Sequence, residues 1–237
     1  MCSGATLVFG LSADPVHRGH VEMVVQSFGR LRDLGYPMAQ VVMVPVYRRN
    51  PVGPAKERLA KTYHHRYVMC GLAAREIARR LGLAASRVIV SDVEARLAAG
   101  RKRPNYTAET LSYLKLRSQP RRRLVFLISS ELVSGSDPEF GRWYEPRTIL
   151  RLADLAICPR PGYAPNPRFL AALRRQGGCV VYLPDVETPD ISSTELRQAL
   201  SSGQSPLALA HRGLLAPSVA RYLHVRDVYA GEAPNQD

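Results

Sequence analysis

The stretch Leu7–His20, LVFGLSADPVHRGH, decides the fold because it passes from an apolar run through a turn directly into the start of a helix. The residues after it repeat at the i, i+3, i+4, i+7 spacing of one apolar helix stripe: Val21, Val24, Val25 and Phe28. A buried strand followed by a short turn and an amphipathic helix is typical of one unit of a parallel α/β sheet.

The same alternation continues along the chain. Further short apolar runs have the length of buried parallel strands, and helical patterns such as His65–Leu81 and Pro167–Arg175 lie between them. The predicted strands are Thr6–Phe9, Gln40–Val46, Arg87–Val90, Leu124–Ile128, Leu155–Cys158 and Cys179–Leu183. We predict an α/β fold with a doubly wound, mostly parallel Rossmann-like sheet, helices on both faces and a short C-terminal helical segment. A ligand is expected beyond the carboxyl ends of the strands.

The composition is that of an ordinary globular protein, with 237 residues, 46% hydrophobic and 22% charged. We expect one domain over residues 1–230 and a frayed polar tail over residues 231–237. No apolar run approaches the roughly 20 residues of a membrane helix, and no basic segment precedes the first apolar residues. We therefore expect a cytoplasmic protein without membrane contact.

Four cysteines are scattered without a CxxC pair, so we expect free thiols, three of them buried, and no metal held by protein ligands. They are Cys2, Cys70, Cys158 and Cys179.

A net charge of +13 is the unusual bulk property. It favours anionic partners, either nucleic acid or phosphorylated small molecules, although much of it falls in segments typical of solvated surface. Aromatic residues interleaved with the basic runs, which a single-strand binding platform needs, are sparse.

Two imidazoles flank a glycine where the first helix begins. Unpaired N–H groups and the helix dipole make such a helix start an anion site, and Gly19 permits close approach of a bound group. We interpret His17, Gly19 and His20 as a phosphate site. The alternative is that each histidine has only a structural role.

A second helix start lies far downstream, in DISSTELRQAL from Asp190. Three hydroxyl residues followed by Arg197 on about the same helix face are typical of a polyphosphate cradle. The alternative is a plain N-cap formed by Asp190 or Ser192.

Together the two segments resemble a known superfamily. SADPVHRGH is similar to the (T/S)-x-x-P-x-H-x-G-H signature of the nucleotidylyltransferases, and ISSTELR to their ISSTxxR signature. Four further stretches, NYTAETL, ISSELVSGSDPEFGRW, RPGY and VPVYRRNPVGPAK, resemble the nicotinate/nicotinamide mononucleotide adenylyltransferases in content and order.

The resemblance implies transfer of the adenylyl group of ATP to a pyridine mononucleotide, with release of pyrophosphate in NAD biosynthesis. Nicotinate mononucleotide is favoured over nicotinamide mononucleotide. It implies catalytic roles for His17, His20, Lys56 and Arg197, and Mg²⁺ held mainly by ATP phosphates. It also implies a set of ATP-binding residues, namely Gly10, Leu11, Ser12, Gly19, Ser129, Glu131, Arg160, Ser192, Ser193 and Thr194. The implied acceptor-binding residues are Ala13, Tyr106, Thr107 and Trp143, with Trp143 stacking on the pyridine ring.

Three departures from the family pattern keep alternatives open. Leu11 replaces a glycine, and its side chain is expected to narrow the approach to the phosphates. Ser129–Glu131 replaces Gly-Ala-Asp, and Ala55 replaces a histidine. A related transferase that uses CTP or another phosphorylated acceptor is one alternative, and a catalytically weak nucleotide- or nucleic-acid-binding protein is another. Nucleic acid is not the expected partner, because a protein that had lost catalysis would not need all four of His17, Gly19, His20 and Arg197. Self-association stays open.

Overall fold

A computed structural model describes residues 4–48, 61–117 and 122–229 of the chain. The predictions for Cys2, Ala55, Lys56 and the tail 231–237 fall outside these residues.

Six strands form one all-parallel sheet in the order β3-β2-β1-β4-β5-β6. They are β1 (Ala5–Leu11), β2 (Met38–Pro45), β3 (Val88–Val90), β4 (Leu124–Ser129), β5 (Asp154–Cys158) and β6 (Val180–Tyr182). Every predicted strand is present, and the doubly wound fold is confirmed. Strand order reverses between β1 and β4, so the crevice at their carboxyl ends is the expected ligand site of such a sheet.

Helices cover both faces of the sheet. They are α1 (Arg18–Asp33), α2 (Tyr63–Leu81), α3 (Val93–Ala98), α4 (Thr107–Arg117), α5 (Pro146–Leu152), α6 (Pro167–Arg175), α7 (Ser193–Ser201), α8 (Pro206–His211) and α9 (Pro217–Val225). Side chains of α1, α2 and α7–α9 share one core cluster with one face of β1, and those of α4–α6 share a second cluster with the other face. The helical C-terminal segment is therefore confirmed as part of the first layer.

Strand β1 is buried on both faces, as an inner parallel strand requires. Alternate residues point to opposite faces, so Leu7, Phe9 and Leu11 all enter the core beneath α1 and α2. Leu11 is only 5% exposed. The pleat of β1 directs most of that side chain into the core, and the expectation that Leu11 narrows the phosphate approach stays a prediction.

Two of the described cysteines are buried and one is exposed, so the prediction of three buried thiols depends on Cys2, which lies outside the described residues. Cys70 and Cys158 are buried, as expected, but Cys179 is exposed because it precedes β6 at the edge of the sheet. The described cysteines are free thiols.

Candidate active site

A cavity of about 1000 Å³ opens at the carboxyl ends of β1 and β4. Lys56 lies outside the described residues. All the other predicted site residues except Ala13 line the cavity: His17, His20, Arg197, Gly10, Leu11, Ser12, Gly19, Ser129, Glu131, Arg160, Ser192, Ser193, Thr194, Tyr106, Thr107 and Trp143. Ala13 is not among the lining residues, and its contact with the acceptor stays a prediction. Ala13 adopts a left-handed conformation (φ 59°) in the turn and is completely buried.

The two histidines form a compact pair at the start of α1. His17 is the N-cap residue, and its ring stacks on that of His20 with centroids 3.7 Å apart. The main-chain N–H of His17 donates to His20 Nδ1 at 3.2 Å. Because Nδ1 accepts this bond, the proton of a neutral His20 ring lies on Nε2, where it is available to a ligand.

Both imidazoles are neutral at pH 7. Burial, then the nearby charge of Arg160, lowers the pKa of His20 to about 4. Burial, followed by the charges of His20 and Arg160, holds the pKa of His17 well below its usual value. Each ring therefore offers a single N–H donor and no positive charge.

Gly19 is required by the packing between these rings and the second segment. A Cβ at this position would lie 3.0 Å from His17 Nδ1 and 3.3 Å from the carbonyl oxygen of Pro189. The glycine thus lets the histidine pair and the segment before α7 close against each other.

Helix α7 brings the downstream segment to the same turn. Ser192 is its N-cap, since its hydroxyl accepts the Thr194 N–H at 3.2 Å, as one alternative predicted. Two other residues of α7 also bond the turn between β1 and α1. Ser193 Oγ donates to the Pro15 carbonyl at 3.2 Å, and Arg197 Nη1 donates to the Asp14 carbonyl at 2.8 Å.

These contacts join residues 178 and 183 positions apart in the chain. The Arg197 guanidinium also bonds Thr194 Oγ1 at 3.2 Å. Two helix N-termini, two neutral imidazoles and the Arg197 guanidinium consequently line the same cavity, which is an arrangement suited to a polyphosphate.

Arg66 is a buried element of the site that has no assigned role from the sequence. It is 1% exposed, and its guanidinium donates to the carbonyls of Ser12 (2.9 Å) and Val46 (2.6 Å). It also donates to the carbonyls of Tyr47 and Lys61. Arg66 therefore ties the carboxyl ends of β1 and β2 together beneath the cavity.

The last described residue, Tyr229, fixes the β1–α1 turn from the other side. Its hydroxyl donates to Asp14 Oδ1 at 2.6 Å, and both residues are 1% exposed. Asp14 thereby links the C-terminal segment to Arg197, which bonds its carbonyl. No local pattern reveals a contact across 215 positions.

An ion pair borders the cavity at the end of β4. Arg160 Nη1 donates to a carboxylate oxygen of Glu131. Its main-chain N–H donates to the buried Ser130 Oγ at 2.8 Å. The pair holds Arg160 where its charge lowers the pKa of both imidazoles.

Aromatic side chains form the opposite end of the cavity. Trp143 is partly buried and packs on Phe140, with centroids 5.3 Å apart. Tyr106 stacks on Tyr144 at 4.4 Å. The main-chain N–H of Tyr106 donates to Glu109 Oε2 at 3.1 Å, so that amide is occupied by a side chain of its own helix.

Among residues 4–48, 61–117 and 122–229, no group of three or more His, Cys, Asp or Glu side chains could hold a metal ion. Within the same residues, no helix is long and apolar enough to cross a membrane.

Comparison with known proteins agrees with this geometry. The sequence profile of the Cytidylyltransferase-like family matches residues 8–199. A probable nicotinate-nucleotide adenylyltransferase of Laribacter hongkongensis is 30% identical over 96% of this chain and 95% of its own. One from Sodalis glossinidius is 26% identical over 94% and 96%.

The fold also matches that of a solved enzyme. The Plasmodium falciparum nicotinic acid mononucleotide adenylyltransferase complexed with NaAD superposes with a TM-score of 0.70. The two are 17% identical, over 96% of this chain and 98% of the other. The chain therefore belongs to the cytidylyltransferase-like family and, within it, to the nicotinate-nucleotide adenylyltransferases, a group of nucleotidyltransferases.

Proposed function

We propose that this protein transfers the adenylyl group of ATP to nicotinate mononucleotide, giving the dinucleotide and pyrophosphate. The observation that carries the proposal is the meeting of the His17–His20 pair with the start of α7 in one cavity. The curated relatives bear the name of this activity. The P. falciparum enzyme, which shares the fold, is known in complexes with NaAD and with APC.

The chemistry needs positioning and charge stabilisation more than proton transfer. The acceptor phosphate is already anionic, so it attacks the α-phosphorus of ATP without a general base, and the bond to the β-phosphate oxygen breaks. His20 Nε2–H donates to a phosphate oxygen near the reacting phosphorus, since its Nδ1 is held by the His17 amide. Neutral imidazoles serve as donors without losing their proton.

Arg197 supplies the positive charge for the leaving pyrophosphate. Its contacts to the Asp14 carbonyl and to Thr194 fix the guanidinium against the first turn of α7 and the β1–α1 turn. Lys56 is proposed to add a second charge from the segment after β2. The adenosine is assigned to the side of Ser129, Glu131 and Arg160.

Mg²⁺ is proposed to enter with ATP. It neutralises phosphate charge, and it commonly keeps several waters and binds through phosphates rather than through an all-protein cage.

A pyrophosphate-release assay with ATP and Mg²⁺ tests the proposal, with nicotinate and nicotinamide mononucleotides in parallel and product masses determined. We expect dinucleotide from both, with the higher kcat/KM for nicotinate mononucleotide. His20→Ala should lower kcat by about a hundredfold or more, as loss of one transition-state donor does. His64→Ala, at an exposed position of α2, is the matched control and should keep wild-type turnover.

Pyrophosphate release with CTP, or with another phosphorylated acceptor but with neither pyridine mononucleotide, would contradict the proposal. It would identify the protein as a related transferase instead. If no substrate gave pyrophosphate release and the affinity for nucleic acid fell steeply with salt, a nucleic-acid-binding protein would be favoured.

A further inference from the structure

Glu94 is a buried carboxyl group in the cavity that the proposed mechanism does not use. It lies in α3, is 8% exposed and lines the cavity. Oε2 accepts the Tyr47 main-chain N–H at 2.9 Å, and Oε1 accepts Thr110 Oγ1 at 3.5 Å. Its side chain thus joins the segment after β2 to helix α4.

Glu94 contacts the segment that carries two of the residues assigned to the acceptor ring, Tyr106 and Thr107, through its main chain and its carboxyl group. Asn105, which precedes Tyr106 and Thr107, donates its amide to the Glu94 carbonyl at 2.5 Å. Thr110 is one helical turn beyond Tyr106, and its N–H bonds the Tyr106 carbonyl at 3.1 Å. Glu94 therefore contacts Asn105, which lies just before α4, and Thr110, which lies in its first turn.

No ion pair of the described residues includes Glu94. Arg66, from α2, is the cation whose charge acts on it. The N–H groups of Arg66, however, donate to main-chain carbonyls, including those of Ser12 and Val46. A charge on Glu94 is thus only partly compensated and acts on whatever occupies the cavity.

That charge changes near neutral pH. Burial raises the pKa of Glu94 to about 7, opposed by the bonds from Tyr47 and Thr110 and by the charge of Arg66. Tyr63 of α2 feels the charge of Glu94, Asp92 is two residues away in sequence, and Arg48, which follows Tyr47, lines the same cavity. Both forms keep their bonds, because a protonated carboxyl can donate to the Thr110 hydroxyl while Oε2 still accepts the Tyr47 amide.

We propose that Glu94 is a specificity-determining residue, whose ionisation disfavours an acceptor with a negatively charged ring substituent relative to one with a neutral carboxamide. The inference rests on the proposed function, which places the pyridine ring at Tyr106, Thr107 and Trp143. A nicotinate carboxylate is repelled by ionised Glu94, and a nicotinamide group is not.

The test is the ratio of kcat/KM for nicotinate mononucleotide to that for nicotinamide mononucleotide, measured from pH 6 to pH 8.5. The phosphate titrates alike in both acceptors, so its contribution cancels. In the wild-type enzyme the ratio should fall on the order of tenfold as pH rises, the effect of two unit charges about 10 Å apart at an effective dielectric constant of about 20.

In Glu94→Gln the ratio should stay constant at its low-pH value, because the amide oxygen can still accept the Tyr47 N–H. Glu94→Asp keeps the charge and should keep the pH dependence, which a merely structural role would not predict. Asp92→Asn makes the same charge change outside the cavity and is the matched control.

A wild-type ratio that does not change with pH overturns the inference even if Glu94→Gln fails to fold. So does a Glu94→Gln profile that follows the wild type. Failure of the wild-type enzyme to adenylylate either mononucleotide would instead refute the proposed function.

Discussion

Replacing Gly19 by alanine tests whether the packing of the histidine pair controls catalysis. The new Cβ would lie 3.0 Å from His17 Nδ1, 3.1 Å from Cε1 and 3.3 Å from the Pro189 carbonyl oxygen. Ordinary contacts begin near 3.4 Å, so the ring or the carbonyl must move by a few tenths of an ångström. The His17 ring has little room, because it already stacks on His20 at 3.7 Å.

The change should affect activity far more than stability. Alanine gains roughly 0.5–1 kcal/mol over glycine inside a helix, which offsets much of the strain. Misplacing a donor by a fraction of an ångström costs about tenfold to a hundredfold in turnover. We therefore expect kcat of Gly19→Ala to fall by that factor with a free energy of unfolding within about 1 kcal/mol of wild type.

Gly29→Ala is the matched control, since it lies in the same helix and its Cβ would meet nothing within 4 Å. It should stabilise the protein by roughly 0.5–1 kcal/mol and leave kcat unchanged. Steady-state kinetics and urea denaturation of both variants measure these quantities. Wild-type kcat and KM in Gly19→Ala would show that the close packing of the His17 ring does not control catalysis.

Three further predictions concern the acceptor, the C-terminal contact and acid. Trp143→Ala should raise the acceptor KM about tenfold and leave the ATP KM within about twofold, with Trp143→Phe recovering most of the loss. A larger effect on the KM for ATP would mean that Trp143 lies on the ATP side of the cavity. Tyr229→Phe removes the buried 2.6 Å bond to Asp14 and should cost about 1–3 kcal/mol in urea denaturation; a change below about 0.5 kcal/mol would contradict this. Burial and then the charge of Arg160 hold the pKa of folded His20 at about 4, so the unfolded state, with a pKa near 6.5, binds the proton first. The contribution of His20 is complete above pH 6.5 and declines by up to about 3 kcal/mol toward pH 4, and an unfolding free energy equal at pH 7.5 and pH 5 would argue against it.

The fold is largely predictable from this sequence because buried parallel strands are continuous apolar runs. All six strands follow from such runs, whereas short helices such as α3 and α8 have too few turns for a periodic pattern. The burial of Leu11 is also predictable, from the alternation of side chains along β1. Leu11 shares a face with Leu7 and Phe9 by simple alternation, which indicates a core position despite its place beside the phosphate site.

Site residues can be predicted from the sequence where a local motif marks them, and not where their role depends on tertiary packing. Helix-start signals mark His17, His20 and Ser192. Arg66 and Glu94 lie in helical segments where a charged residue ordinarily indicates a solvated face, and their roles arise only from burial against segments distant in sequence. The approach of Tyr229 to Asp14 depends on the complete fold.

The most direct test of the central claim is the fate of labelled phosphate when ATP, Mg²⁺ and nicotinate mononucleotide react with the enzyme. We expect label in the α-phosphate of ATP to enter the dinucleotide and label in the γ-phosphate to leave in pyrophosphate. Label from the γ-phosphate in orthophosphate or in the acceptor, with none from the α-phosphate in a dinucleotide, would contradict that claim.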